Sequence, residues 1–133
     1  MVKRVITYGT FDLFHFGHVR LLQRLRALGD ELHVGCATDA FNAKKGKQSV
    51  IPFGERLEVL AACRYVDHVF AEEDWSQKPA DIAKYNIDVF GMGDDWAGKF
   101  DALRAHCEVV YLPRTDEIST TRLLNIIHAS PKR

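Results

Sequence analysis

Apolar runs of strand length alternate along the chain with segments in which apolar residues recur at helical spacing. The runs predict β-strands at residues 5–8, 32–37, 66–71, 88–92 and 109–112. The helical spacing predicts helices at residues 19–28, 39–44, 54–64, 79–85, 100–105 and 120–129. Because strands that alternate with helices form parallel sheets, we expect one α/β domain over residues 1–133, with a Rossmann-like, doubly wound parallel sheet of about five strands.

Composition and charge narrow the class of protein. Eighteen Lys and Arg residues balance eighteen Asp and Glu residues, so nothing favours nucleic acid or an anionic membrane as a partner. Residues 1–4 lead directly into a strand without an apolar signal region, and no apolar run approaches the ~20 residues needed to cross a bilayer. The three cysteines are widely separated in apolar sequence, which favours reduced thiols. We therefore expect a cytoplasmic protein without membrane insertion.

Two histidines, His15 and His18, fall where the first predicted strand hands over to the first predicted helix, within the run Gly9-Thr10-Phe11-Asp12-Leu13-Phe14-His15-Phe16-Gly17-His18. A helix N-terminus offers unpaired backbone N–H groups and a partial positive charge, and imidazoles add hydrogen-bond donors, so this junction suits a polyphosphate. The run is neither the Gly-x-Gly-x-x-Gly fingerprint nor a Walker loop, which argues against ordinary NAD and P-loop chemistry. The alternatives are two surface histidines, or a metal site on His-x-x-His whose ligand set no Cys or acidic residue convincingly completes.

A second group of polar residues precedes the last predicted helix. Arg114 lies upstream of three consecutive hydroxyl residues, Ser119, Thr120 and Thr121. A guanidinium, hydroxyl groups and free helix N–H groups together favour phosphate binding. Simple capping of the helix by Ser119 or Thr120 is the alternative.

Lysines are concentrated after the second predicted strand. Lys44, Lys45 and Lys47 belong to the polar stretch 44–52, which we interpret as a mobile loop whose ammonium groups close over phosphates. A solvated basic loop is the alternative.

Acidic and aromatic residues after the strands leave several interpretations open. Asp94 and Asp95 could hold Mg²⁺ through water, bind the ribose or cytosine of a nucleotide, or cap a turn. Asp12 could fix its own turn or contact a ligand. Trp75 and Trp96 could line a pocket, although tryptophan is more often found in a core or an interface.

Three segments carry a resemblance to a known family. The stretch from Gly9 to His18 resembles the His-x-Gly-His signature of the cytidylyltransferase family of nucleotidyltransferases. The segment Arg114-Thr115-Asp116-Glu117-Ile118-Ser119-Thr120-Thr121 resembles that family's Arg-Thr-Glu-Gly-Ile-Ser-Thr-Ser/Thr motif, and Arg64-Tyr65-Val66-Asp67 resembles its Arg-Tyr-Val-Asp segment. The chain departs from the family at 116–117, where Glu-Gly is usual.

The resemblance implies roles for individual residues. His15, His18, Lys45 and Arg114 match catalytic positions, and Lys45 also matches a position that binds the substrate phosphate. Lys78 matches another substrate-side position, although without the family it reads as an ordinary helix-start residue. Further positions match nucleotide contacts: Gly9, Thr10, Phe11, Lys47, Arg64, Asp95, Thr115, Ile118, Ser119, Thr120 and Thr121.

The resemblance also implies an activity, and it is closest to bacterial members that act on glycerol 3-phosphate. We expect transfer of CMP from CTP to sn-glycerol 3-phosphate, with Mg²⁺ accompanying CTP and no protein metal ligand singled out. The product would feed teichoic acid or a related surface polymer, and the active form would be a homodimer with the segment 64–67 at its interface. The alternatives are a related enzyme that uses ATP or another polyol phosphate, and a non-catalytic nucleotide-binding module.

Overall fold

A five-stranded parallel sheet forms the centre of the protein in the computed structural model, which describes residues 1–113 and 120–129. The strands are β1 (Arg4–Gly9), β2 (Glu31–Ala37), β3 (His68–Glu72), β4 (Val89–Gly93) and β5 (Glu108–Leu112). Their order across the sheet is β3-β2-β1-β4-β5, and all neighbours run parallel. The chain therefore winds outward in both directions from β1, which confirms the predicted α/β fold class.

Helices and short 3₁₀ segments connect the strands. The helices are α1 (Phe16–Arg26), α2 (Asp39–Lys44), α3 (Phe53–Ala62), α4 (Lys78–Lys84) and α5 (Thr120–Ala129). Single 3₁₀ turns occur at Trp75–Gln77 and Asp94–Trp96, and a longer 3₁₀ segment at Asp101–Ala105. Within the described residues, no helix is long and apolar enough to cross a membrane.

Each face of the sheet has its own apolar core. One core joins Val5 and Leu32 of the strands to Leu22 and Leu25 of α1 and to Leu60 of α3. The other joins strand residues with Ile82 of α4 and Leu103 of the last 3₁₀ segment. Because successive side chains of a strand point to opposite faces, the buried strands read as nearly continuous apolar runs.

Two predicted boundaries were wrong for identifiable reasons. Helix α1 begins at Phe16 rather than at residue 19, because the His15 imidazole accepts a hydrogen bond from Gly17 and thereby caps the helix. Strand β3 begins at His68 rather than at residue 66. The N–H group of Val66 donates to Cys63 in a turn, and the N–H group of Asp67 donates to Leu32, before regular pairing starts.

Strands β1 and β4 separate toward their carboxyl ends. They pair only through Val5 with Val89 and Ile6 with Phe90, whereas β1 pairs with β2 along its whole length. A hydrogen bond from the Thr7 hydroxyl to the Met92 sulfur, at 3.5 Å, spans the place where the backbones have parted. The strand order reverses at this point, because β1 is followed by β2 on one side of the sheet and lies beside β4 on the other. In α/β proteins, ligands bind in the crevice that opens at such a reversal.

Candidate active site

A cavity of about 460 Å³ occupies the crevice at the carboxyl ends of the strands. Nine of the residues predicted to bind nucleotide or substrate line it: Gly9, Thr10, Phe11, His18, Lys45, Lys47, Lys78, Thr120 and Thr121. The cavity walls also include Trp75 and Trp96, as the first of the two interpretations of these tryptophans predicted. The structure therefore brings together residues from four separate parts of the sequence.

The two histidines form a stacked pair at the start of α1. Their ring centroids lie 3.9 Å apart, and His18 also packs against Phe11 and Phe14. The Nδ1 atom of His15 accepts from the Gly17 N–H at 3.0 Å, and the Nδ1 atom of His18 accepts from the His15 N–H at 3.1 Å. Each Nδ1 is therefore an acceptor, so the hydrogen of each neutral ring lies on Nε2.

Burial keeps both imidazoles neutral near pH 7. It lowers the pKa of His15, and together with the nearby His15 charge it lowers the pKa of His18 to about 4. The Nε2 atom of His15 is buried and has no hydrogen-bond partner among residues 1–113 and 120–129. A buried N–H donor without an acceptor costs free energy, and a phosphate oxygen would supply the acceptor. The pair can thus donate hydrogen bonds without first taking up a proton.

Two lysine amines flank the exposed ring of Trp75. Lys45, which caps the C-terminus of α2, places its Nζ 4.5 Å from the Phe41 ring centroid and 5.5 Å from that of Trp75. The Nζ atom of Lys78 lies 5.0 Å from the Trp75 centroid, and both lysines line the cavity. Burial lowers the pKa of Lys45, and the negative charge of Glu72 partly opposes this effect. The amines are therefore held by aromatic surfaces, in positions from which they can bind an anion.

Lys78 and Glu72 form a buried ion pair beside the cavity. Their Nζ and Oε2 atoms lie 2.9 Å apart, and each side chain is only 4% exposed. The neighbouring Tyr8 hydroxyl donates to Asp81 at 2.8 Å, and burial with this hydrogen bond raises the pKa of Tyr8, so the tyrosine stays protonated. Lys78 is the first residue of α4, as the sequence suggested, but it points into the protein rather than to solvent.

Asp12 is a structural organiser of the stretch 44–52. Its carboxylate oxygens accept from the N–H groups of Leu13, Val50 and Ile51 at 2.7–3.1 Å. Its carbonyl accepts from the Thr120 hydroxyl at 2.8 Å, which attaches the start of α5 to the same junction. The structure thus shows the first of the two roles considered for Asp12, fixing the local chain, and Asp12 also lines the cavity.

Arg56 was missed by the sequence interpretation, although it organises the base of the site. This residue of α3 is 2% exposed and donates to the carbonyls of Thr10, Ala37 and Ile51, each at 2.8 Å. It also donates to the Asp39 carboxylate at 2.8 Å. One guanidinium thus joins the ends of two strands to the stretch 44–52. Arg56 is four residues before the buried Leu60, so its helical spacing was the available signal.

The remaining predicted site residues lie elsewhere. His15 lies behind His18 rather than on the cavity wall, and Asp95 is exposed in the 3₁₀ turn that follows β4. Arg64 is exposed after α3, with its guanidinium 5.6 Å from the Tyr65 ring. The Asp67 carboxylate, at the other end of the segment 64–67, forms an ion pair with Arg26 at 3.0 Å. Six residues of the C-terminal motif, 114–119, lie outside the described residues: the predicted site residues Arg114, Thr115, Ile118 and Ser119, and the position 116–117 at which the chain departs from the family.

The described residues do not build a metal cage. No group of three or more His, Cys, Asp or Glu side chains is arranged to hold a metal within them. Both oxygens of Asp12 accept backbone N–H groups, and Glu72 is paired with Lys78.

Comparison with known proteins agrees with this geometry. The profile of the family described as cytidylyltransferase-like matches residues 6–130. Proteins named glycerol-3-phosphate cytidylyltransferase from Bacillus subtilis (strain 168) and Staphylococcus aureus (strain NCTC 8325 / PS 47) are 56% and 52% identical over 122 residues. These matches cover 92% of this chain and 95% and 92% of the respective relatives.

A solved structure shows the same fold at lower identity. The lipopolysaccharide core biosynthesis protein from Thermoplasma volcanium GSS1 superimposes with a TM-score of 0.74 at 24% identity, over 87% of this chain and 100% of that protein. The family match spans both the paired histidines and the strands that position them. The chain belongs to the cytidylyltransferase-like family.

Proposed function

We propose that the protein transfers CMP from CTP to sn-glycerol 3-phosphate, forming CDP-glycerol and pyrophosphate. The observation that carries the proposal is the neutral histidine pair, in which His18 lines a cavity that two lysines also line and His15 stacks against His18. The high identity to relatives named glycerol-3-phosphate cytidylyltransferase supports the choice of nucleotide and acceptor.

The reaction needs charge compensation more than proton abstraction. An oxygen of the acceptor phosphate attacks the α-phosphorus of CTP, the new phosphorus–oxygen bond forms, and the bond to the bridging oxygen breaks as pyrophosphate leaves. The attacking oxygen is already anionic near pH 7, so a general base is unnecessary. The site must instead align the two phosphates and stabilise the charge that develops between them.

The side chains divide this task. His15 and His18 donate from Nε2 to the triphosphate, and Lys45 lies between the reacting phosphates. Lys78 binds the acceptor phosphate, and its aromatic frame keeps the long side chain in one position. The remaining nucleotide contacts come from Gly9, Thr10, Phe11, Lys47, Thr120 and Thr121 on the cavity wall, and from Arg114, Thr115, Ile118 and Ser119 beyond the described residues.

We further propose that Mg²⁺ arrives with CTP as part of the substrate and that the active form is a homodimer. Arg64 and Asp95 are exposed and do not line the cavity, which fits contacts that need a second copy of the chain or a bound nucleotide. If Mg²⁺ is part of the substrate, omitting it should abolish turnover. If the active form is a homodimer, sedimentation analysis should give twice the monomer mass of 15.1 kDa. A cytoplasmic location stays a prediction.

Pyrophosphate release from CTP and from ATP, each with a panel of phosphomonoesters, tests the proposal. We expect turnover with CTP and sn-glycerol 3-phosphate, and CTP with Mg²⁺ should raise the Tm more than ATP does, because a ligand stabilises the state that it binds. A preference for ATP or for another polyol phosphate would show that the protein is a related nucleotidyltransferase with a different substrate. CTP binding with no turnover on any acceptor would indicate a non-catalytic nucleotide-binding module.

A further inference from the structure

Two acidic residues, Asp12 and Glu72, line the cavity together with three lysines, and Glu72 is the one that is paired with a lysine. Glu72 ends β3 and is 3% exposed, and the cavity wall also includes Lys45, Lys47 and Lys78. A negative charge at this place opposes the entry of phosphates. Its presence therefore calls for a task that the phosphate-binding residues do not perform.

The ion pair with Lys78 uses only part of this carboxylate. Oε2 of Glu72 accepts from Lys78, and no residue within 1–113 or 120–129 donates to Oε1. An ionised carboxylate has about four acceptor sites and no donor, so it can take further hydrogen bonds from neutral O–H groups. Hydroxyl groups of a ligand are such donors.

Lys78 does not depend on Glu72 alone for its position. The rings of Tyr8, Trp75 and Phe100 surround its Nζ with centroids at 4.6, 5.0 and 5.4 Å. A bound phosphate would neutralise the same amine from the cavity side. A ligand whose phosphate binds Lys78 would therefore bring its hydroxyl groups close to the Glu72 carboxylate.

We propose that Glu72 determines acceptor specificity by accepting a hydrogen bond from a hydroxyl group of the polyol phosphate, while Lys78 binds the phosphate of the same molecule. The inference rests on the proposed function and adds the residue that distinguishes a polyol phosphate from a simple alkyl phosphate. In this buried ion pair, Lys78 would bind the phosphate of the substrate and Glu72 would bind one of its hydroxyl groups.

The test compares two acceptors in two enzymes. Wild type and Glu72→Gln are assayed for kcat/KM with sn-glycerol 3-phosphate and with n-propyl phosphate, which has the same carbon chain without hydroxyls. We expect wild type to prefer glycerol 3-phosphate about 10- to 100-fold, the range expected for a hydrogen bond to a charged group. Glu72→Gln should lose most of this preference, through lower kcat/KM on glycerol 3-phosphate, with the KM for CTP changed less than about twofold.

Glu73→Gln is the matched control, because the same change is made at the next residue, which is exposed. It should keep the wild-type preference. If Glu72→Gln folds poorly by its Tm, Glu72→Asp keeps the charge, shortens the reach and should reduce the preference in the same direction.

The outcomes separate this inference from the proposed function. An equal loss on both acceptors would mean that Glu72 only positions Lys78, and an unchanged preference would mean that it does not sense the hydroxyls; either result overturns the inference and leaves the proposed function standing. A wild-type protein that turns over neither acceptor with CTP overturns both.

Discussion

Replacing Arg56 by methionine tests the conclusion that one buried guanidinium supports the base of the site. Methionine keeps most of the length and apolar surface of the side chain but donates no hydrogen bonds. The carbonyls of Thr10, Ala37 and Ile51 would each lose a bond of 2.8 Å. Asp39 would lose little, since its side chain is 56% exposed and it keeps hydrogen bonds from Ser49 and Phe53.

The expected magnitude follows from the unpaired carbonyls. Each buried acceptor left without a donor costs about 1–3 kcal/mol, and water entering beside the half-buried Thr10 and Ile51 would recover part of the cost of two of them. We therefore expect Arg56→Met to lower the free energy of unfolding by about 3–5 kcal/mol, which is a large part of the ~5–15 kcal/mol typical of a domain. For a chain of this size the corresponding fall in Tm is about 10–20 °C.

Urea denaturation of wild type, Arg56→Met and Arg20→Met measures this loss. Arg20 is an exposed arginine of α1 that bonds to Gln23 and packs on Phe16, so its replacement should change stability by less than about 1 kcal/mol. A loss at Arg56 no larger than that at Arg20 would refute the reasoning, because it would mean that the three carbonyls find water or other donors at no cost.

Three further predictions concern the junction between β1 and α1. His15→Ala and His18→Ala should each lower kcat by about 10²–10³ while the Tm stays within a few degrees of wild type; near-normal turnover would exclude them as phosphate donors. The pKa of His18 is about 4 in the folded protein, below its value in the unfolded chain, so the unfolded chain takes up the proton first as the pH falls. Between about pH 6.5 and pH 4, this difference should lower the free energy of unfolding by on the order of 3 kcal/mol. His18→Gln should flatten that part of the stability–pH curve in urea titrations, and a parallel curve would contradict the burial of the ring. Asp12→Ala should speed amide hydrogen exchange at Val50 and Ile51 at least tenfold, as it removes their acceptors; unchanged exchange would show that another contact holds them.

The fold could be predicted from the sequence because the buried strands form uninterrupted apolar runs. The run around β2, for example, is buried almost throughout, so its position and length were evident. The start of α1 was less evident, because an imidazole that caps a helix depends on the orientation of its ring, which no spacing reveals.

The site was predicted where its chemistry is local in sequence and missed where it is not. The histidine pair lies within four consecutive residues, and its place at a strand-to-helix junction could be read directly. Arg56 and Glu72 were missed because charged residues are usually exposed and their burial depends on distant partners. The partners of Arg56 are mostly backbone carbonyls, which every residue possesses and which therefore leave no mark on the sequence.

The early separation of β1 and β4 determines how the choice of acceptor can be altered. Since the crevice is formed where two strands of the sheet part, its depth is fixed by the backbone. The cavity walls include the side chains of Trp75, Trp96 and Phe100, whose rings contact one another in series. Replacing these aromatic side chains by smaller ones should therefore widen the range of acceptors without changing the sheet.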